Sequence, residues 1–154
     1  MRIRINKFRN LEPDPLYHSL KLAKFINYLM LRGQKETARK VVYQALEIIK
    51  KKTDDPLKVF EEAVKNVSPL LEVKSRRIGG ATYQVPYEVK KDRQMTLAMK
   101  WIIRAARSVK GRPISKKLAQ EIEAAAQGEG KAVQKKVNTH KMAKANQAFA
   151  RFAR

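Results

Sequence analysis

Apolar residues recur along the chain with two periods, and the change from one to the other marks its organisation. Leu22, Phe25, Ile26, Leu29 and Met30 fall at i, i+3, i+4, i+7 and i+8, one stripe of an amphipathic helix. Gly33 stands where such a helix stops. Ala38, Val41, Val42, Ala45, Leu46 and Ile49 repeat the spacing in a second helix. It runs out at Lys50-Lys51-Lys52, cations placed where the C-terminal dipole favours them. Asp55 before Pro56 reads as the N-cap and first position of a third helix. Its buried side is Leu57, Phe60, Val64 and Val67, until Ser68-Pro69 closes it.

From Glu72 to Val89 the period shortens. β-Branched and aromatic residues flank Gly79-Gly80, the pattern of two short strands around a glycine turn. Pro86 cannot donate to a ladder, but a two-stranded ribbon is all edge and tolerates it. Such a ribbon is marginal alone in water, so it is expected to project from the body and to be steadied by what it touches. Helical spacing resumes from Asp92, with Met95, Ala98, Met99, Ile102, Ala105, Ala106 and Val109 inward as far as Lys110-Gly111. After Arg112-Pro113, Ser115 is expected to cap a fifth helix with Leu118, Ile122 and Ala126 inward, which Gly128-Glu129-Gly130 breaks. Lys131 to Arg154 is alanine-rich and helix-prone, with Val133, Val137, Phe149 and Phe152 as its larger apolar groups.

The predicted fold is mainly α, a single domain over 1–154 of about six helices with one projecting β-hairpin. A basic extended arm over 1–14, the hairpin over 72–89 and a basic C-terminal helix or tail over 131–154 are its distinct segments.

Composition changes the picture in one respect. The 154 residues are 44% hydrophobic, enough for a modest core, yet Lys+Arg 35 against Asp+Glu 14 leaves +21. A field of that size attracts phosphate backbones or anionic lipid and repels itself in the compact state. The chain has no cysteine, which removes disulfides, thiolate zinc sites and thiol nucleophiles. The first residues alternate charge with apolar groups, unlike a signal peptide, and no run approaches 18 apolar residues. A cytoplasmic setting without membrane insertion is expected.

The charge is blocked rather than uniform. Residues 1–35 carry eight basic and two acidic side chains, 36–72 seven of each, 73–91 five against one, and 92–117 eight against one. Residues 118–130 hold three acids and no base, and 131–154 seven bases and no acid. This pattern suggests a body whose second and third helices face solvent or protein, while arm, hairpin, fourth helix and tail face a polyanion. On the fourth helix Arg93, Lys100, Arg104 and Arg107 recur at i, i+7, i+11 and i+14, on one side. A solvated face would interleave acids in i,i+4 pairs, and this one does not. On the hairpin, Lys74, Arg76 and Arg77 precede the tip and Tyr83 and Tyr87 follow it. Guanidinium groups fork onto phosphates, and aromatic planes stack on splayed bases. Gly79 and Gly80 make the turn and also permit close approach of the backbone to a ligand.

No catalytic chemistry emerges. Gly79-Gly80 is not followed by the Gly-Lys-Ser/Thr of a phosphate-binding loop. His18 and His140 lack a second ligand at i+3 or i+4, so no metal or other cofactor is expected; His140, among Lys136, Lys141 and Lys144, reads as a hydrogen-bond or phosphate partner or as structural. Trp101 beside Lys100 could stack on a base, though a lone Trp at helical spacing is more often core. No small-molecule substrate is implied.

Three stretches carry a resemblance. DPLYHSLKLAKFINYLMLRGQKETARKVVYQAL (Asp14 to Leu46) resembles the first two helices of the universal small-subunit ribosomal protein seven family, of bacterial or organellar type. NVSPLLEVKSRRIGGATYQVPYEV (Asn66 to Val89) is similar to that family's hairpin region nearly residue for residue, and Asn138 to Asn146 to its closing helix. Asn138-Thr139 stands where bacterial members usually have an acidic pair, and the arm is unlike most.

The resemblance implies a non-enzymatic, primary ribosomal-RNA-binding protein that docks on a junction in the 3′ major domain and nucleates assembly of the head. Its other implied partners are neighbouring head and platform proteins, with a hairpin reaching toward exit-site tRNA and mRNA. The expected rRNA-binding residues are Arg2, Arg4, Lys7, Arg9, Lys35, Arg93, Lys100, Arg104, Arg107, Lys110, Arg112, Lys131, Lys135 and Lys136. The expected tRNA- and mRNA-proximal residues are Lys74, Arg76, Arg77, Gly79, Gly80 and Tyr83.

Two other readings fit less well. A DNA-bending protein would wedge an apolar or proline tip between base steps, and Gly79-Gly80-Ala81 offers none. A peripheral membrane protein would expose bulky apolar residues opposite its cations, and the bulky stripes here are used by one core.

Overall fold

Each apolar stripe folds as a helix that buries it. The computed structural model describes residues 11–152. Within them lie α1 (Leu20–Leu29), α2 (Lys35–Lys50), α3 (Pro56–Val67), strands β1 (Leu71–Ile78) and β2 (Ala81–Glu88), α4 (Lys91–Ser108), α5 (Ile114–Ala126) and α6 (Gly130–Ala145). A 3₁₀ turn, Gln147–Phe152, follows. The architecture is mainly α with one antiparallel hairpin, as the periodicity predicts.

α5 is the centre of the helical body. It packs against α2, α3, α4 and α6, and its Leu118, Ala119, Ile122 and Ala125 are buried. Alanines at contact positions let helix axes approach closely. Larger groups fill the space on either side: Phe25 of α1 meets Phe60 of α3 edge-on with ring centroids 5.0 Å apart, beside Leu22, Ile26, Leu46 and Ile49. Trp101 is part of this core, the more ordinary of the two roles open to it.

Helix ends are tied mostly by side chains from elsewhere in the chain. Asp55 accepts from the Lys58 N–H at 3.2 Å, the local cap that Asp-Pro predicts. Asn66 Nδ2 instead donates to the carbonyls of Ala125 (3.1 Å) and Ala126 (2.8 Å), closing the distant end of α5. Buried Glu121 of α5 accepts from the Ala132 N–H at 2.8 Å, capping α6 with charge where the dipole favours an anion. That carboxylate fits because Gly130 has no side chain. A Cβ there would lie 2.9 Å from Glu121 Oε1, and the backbone φ is +92°.

Before α1, Asp14 is buried and accepts from the N–H groups of Leu16 (3.2 Å) and Tyr17 (3.1 Å) and from the Tyr43 hydroxyl (2.9 Å). Burial first, then the hydrogen bond to Asp14, raises the Tyr43 phenol above its ordinary pKa. This turn fastens the end of the predicted arm to α2; residues 1–10 of the arm lie outside the described residues.

Three boundaries differ from expectation. α5 begins at Ile114 with Pro113 as its cap residue, and Ser115 is buried inside the first turn rather than capping it. α6 stops at Ala145, where the Asn146 side chain donates to the Met142 carbonyl at 2.8 Å and the chain tightens into the 3₁₀ turn. The ribbon spans Leu71–Glu88, one residue earlier at each end than the expected 72–89, and pairs Arg76 with Tyr83 and Ile78 with Ala81. α6 and the 3₁₀ turn pack along it, and Val85 and Pro86 are buried at its root.

A candidate nucleic-acid interface

The basic stripe of α4 lies opposite the face that the helix buries. Ala98, Met99, Trp101, Ile102, Ile103, Ala105 and Ala106 face inward, leaving Arg93, Lys100, Arg104 and Arg107 exposed on one side. Their surroundings differ. Lys100 Nζ lies 5.4 Å from the centroid of the Tyr28 ring, whose hydroxyl is 3.3 Å from Thr96 Oγ1. Arg107 Nη2 donates to the Leu29 carbonyl at 2.8 Å, closing the last turn of α1. Arg104 has no hydrogen bond or ion pair among the described residues.

Arg93 meets Glu72 at 3.3 Å, and Lys74 reaches the same carboxylate at 2.8 Å. Burial raises the Glu72 pKa, but the Lys74 and Arg93 contacts outweigh it and hold the carboxyl below its ordinary value. Glu72 therefore stays charged and binds the ribbon's root to the start of α4. Each cation retains further N–H donors on its outer side.

Along the ribbon, paired residues share a face. Glu72, Lys74 and Arg76 lie with Tyr87, Val85 and Tyr83, while Arg77 lies on the opposite face with Ser75, Gln84 and Thr82. The first face is partly covered from within. The Tyr83 ring sits 5.0 Å from Phe149 and 6.3 Å from Phe152, and Arg76 donates to the Phe152 carbonyl. Lys74 Nζ stands 5.3 Å from the Tyr87 ring centroid. The tip is open: Gly79 (φ +55°) and Gly80 (φ +89°) have nothing within 4 Å of a built Cβ.

The remaining predicted contacts divide into outward and inward cations. Lys35, Lys110 and Lys135 are exposed, and Arg112 reaches Gln120 Oε1 at 3.4 Å. Lys131 donates to Ser108 Oγ at 3.3 Å, and Lys136 to the Asn66 carbonyl at 2.7 Å, closing α3. Arg2, Arg4, Lys7 and Arg9 lie outside the described residues.

Lys117, which no sequence pattern marks, donates to the Val109 carbonyl at 2.7 Å and shapes the α4–α5 loop. The sequence also leaves the role of His140 open. Nε2 of that ring accepts from the Leu70 N–H at 3.0 Å, and burial, then the nearby Lys136 charge, lowers its pKa. His140 is therefore a neutral strut between α6 and β1. At the unusual Asn138-Thr139 pair, Thr139 is buried and donates to the Lys135 carbonyl at 2.8 Å, while exposed Asn138 accepts from Gln134 at 3.1 Å.

The acids are placed elsewhere. Lys21–Glu61 (2.8 Å) joins α1 to α3, and Lys52–Glu123 (2.7 Å) joins the end of α2 to α5. Among the described residues no cluster of three or more His, Asp or Glu could hold a metal, and no helix is long and apolar enough to cross a membrane. What the arrangement can do is hold a polyanion.

Comparison with known proteins agrees in extent. The family model described as ribosomal protein S7p/S5e matches residues 1–147. Proteins named small ribosomal subunit protein uS7 match over nearly the whole chain. That of Thermotoga petrophila is 54% identical over 153 residues, 99% of each chain. That of Pelotomaculum thermopropionicum is 55% identical over 145 residues, 94% of this chain and 93% of the relative. A third, from Dehalococcoides mccartyi, is 51% identical over 151 residues, 97% of each.

Proposed function

The chain belongs to the ribosomal protein S7p/S5e family, and from that premise we propose that it is a primary ribosomal-RNA-binding protein that organises the head of the small subunit. Its role as a structural, non-enzymatic constituent of the small ribosomal subunit, with ribosomal RNA and ribosomal proteins as partners, follows from the family. The observation that carries the finer reading is the α4 face. Four cations stand exposed in one line, only Arg93 has an acidic partner among the described residues, and that partner is shared with Lys74.

The α4 face, together with Lys35, Lys110, Arg112, Lys131, Lys135 and Lys136, is the docking surface for a junction of the 3′ major domain. Arg2, Arg4, Lys7 and Arg9, outside the described residues, bring four further cations to the same RNA. Docking there gathers RNA helices and lets later head and platform proteins assemble. The ribbon tip carries the second role. Lys74, Arg76, Arg77, Gly79, Gly80 and Tyr83 lie toward exit-site tRNA and mRNA, with Arg77 exposed and the space around the glycines open. The working place is the cytoplasmic ribosome.

A nucleotide-resolution footprint on small-subunit RNA tests the docking. Protections should cluster at one junction of the 3′ major domain and fade steeply with salt. Equal affinity for plain duplex DNA would overturn the reading. Deleting Ile78–Ala81 should spare the footprint but lower exit-site tRNA occupancy in reconstituted subunits. Loss of the footprint instead would mean that the two surfaces are misassigned.

A further inference from the structure

Beside the basic face lies an apolar cleft of about 380 Å³ with walls from Leu29, Ala38, Val41 and Ile114. It opens where α1 ends and α2 begins. Leu31 stands on its rim, 61% exposed, and extends the apolar wall outward. The turn that presents it is specific. Gln34 N–H donates to the Leu31 carbonyl at 3.0 Å, and both central residues, Arg32 (φ +52°) and Gly33 (φ +75°), are left-handed. For arginine that backbone is strained, and such strain concentrates at functional sites.

The polar part of the cleft is cationic and amphiphilic. Arg107 lines it and donates to the Leu29 carbonyl at 2.8 Å. Gln34 and Thr37 line the same space, and Gln34 makes no capping bond to α2. Arg32 and Lys35 flank these residues in the chain, and no acidic side chain lines the cleft. Glu36, the nearest acid in sequence, is paired with Arg39 at 2.7 Å.

We propose that this cleft receives one unstacked nucleobase of the bound RNA. The inference rests on the ribosomal-RNA reading above and adds a specific recognition site to it. A base has two apolar faces and a polar edge, and the cleft has apolar walls and a polar end. The faces lie on Leu29, Leu31 and Val41 and against the Arg107 plane; the edge meets Gln34 and Thr37. The attached phosphates lie toward Arg32 and Lys35. Sequence-specific RNA recognition commonly uses bases splayed from the stack in this way. An apolar side chain from a neighbouring protein would fill the walls but leave the cations and the amide without partners, so charge complementarity favours RNA.

The test uses the full chain bound to a transcript of the 3′ major domain of small-subunit RNA. Each nucleotide is probed by 2′-hydroxyl acylation and by base-specific alkylation. The expected signature is a nucleotide with a reactive backbone and a shielded base. Val41→Phe fills the cleft, and Leu31→Ser alters only an exposed rim position and so keeps the fold. Both should restore alkylation of that base, with roughly tenfold weaker binding for Val41→Phe, the scale of one lost stacking contact. All other protections should remain. Folded variants with the wild-type footprint and affinity would overturn the proposal. So would variants that keep the footprint but drop a neighbouring protein from reconstituted subunits, since the occupant would then be that protein. Absence of any junction footprint with the unaltered chain would instead refute the RNA-docking reading itself.

Discussion

Arg104 isolates the contribution of a single cation to RNA binding. It is exposed at the middle of the α4 face and has no polar partner among the described residues. Arg104→Ala therefore removes no internal hydrogen bond or ion pair among the described residues, and alanine is the best helix former, so stability should change by no more than about 0.5 kcal/mol. If Arg104 neutralises one phosphate, its loss should lower the salt slope of binding by about 0.7–0.9. Over a roughly fourfold rise in salt, from ~50 to ~200 mM, the affinity defect should then shrink by a factor of about 2.6–3.5. Fluorescence anisotropy of a labelled 3′-major-domain transcript, titrated at several salt concentrations, measures both quantities. Arg107→Ala is the informative companion. It should lose a similar slope and also about 1 kcal/mol of stability, because its bond to the Leu29 carbonyl goes too. An unchanged slope for folded Arg104→Ala would place the α4 face off the RNA and refute the reasoning.

Three further outcomes follow from the packing. Gly130→Ala should destabilise the chain by about 1–3 kcal/mol in thermal melts, because a Cβ meets Glu121 Oε1 at 2.9 Å on a left-handed backbone; a melt within experimental scatter of the parent would contradict this. The contribution of His140 should depend on pH: its pKa is lower folded than unfolded, so the unfolded chain binds the extra proton. That contribution is complete above the ordinary imidazole value of about 6.5 and is lost as pH falls from there through the depressed value. His140→Gln should flatten this part of the stability profile, and a slope that survives the substitution belongs to another group. Tyr83→Ala and Phe149→Ala should couple by about 0.5–1.5 kcal/mol in a double-mutant cycle, whereas additive effects would mean that the tail does not steady the ribbon in solution.

Much of the fold was legible because its signals are local. The stripes of α1 to α5, the Asp55-Pro56 start and the strands around Gly79-Gly80 are each set by residues near one another in sequence. What escaped depends on partners far apart in the chain. Asp14 looks like an arm residue until Tyr43 reaches it, and Glu121 looks like a surface acid until α6 begins against it. Tyr83 looks like a free base-stacking platform until Phe149 returns along the ribbon. Of the candidate interface, exposure on α4 was readable from period alone. Which of those cations also close a helix end was not, because a carbonyl acceptor such as Leu29 or Asn66 is defined only by tertiary placement.

That double use bears on how the chain tolerates +21. Five of the acids tie elements together: Glu61 and Glu123 bridge the body, Glu72 anchors the ribbon, and Asp14 and Glu121 hold backbone N–H groups. Cations at the edge of the interface are tied down by carbonyls instead. Arg107, Lys117 and Lys136 each donate to a backbone oxygen, where the partial charge at a helix end or loop holds a cation without cancelling it. A carboxylate partner would position these side chains equally well but would neutralise the surface. Carbonyl partners fix the same geometry and leave the field intact, so the fold's own hydrogen bonds keep the charge available to a phosphate-bearing partner. Folding and RNA binding are then coupled through the same residues: the self-repulsion left by uncompensated cations falls when phosphates arrive, and bound RNA stabilises the folded chain by mass action.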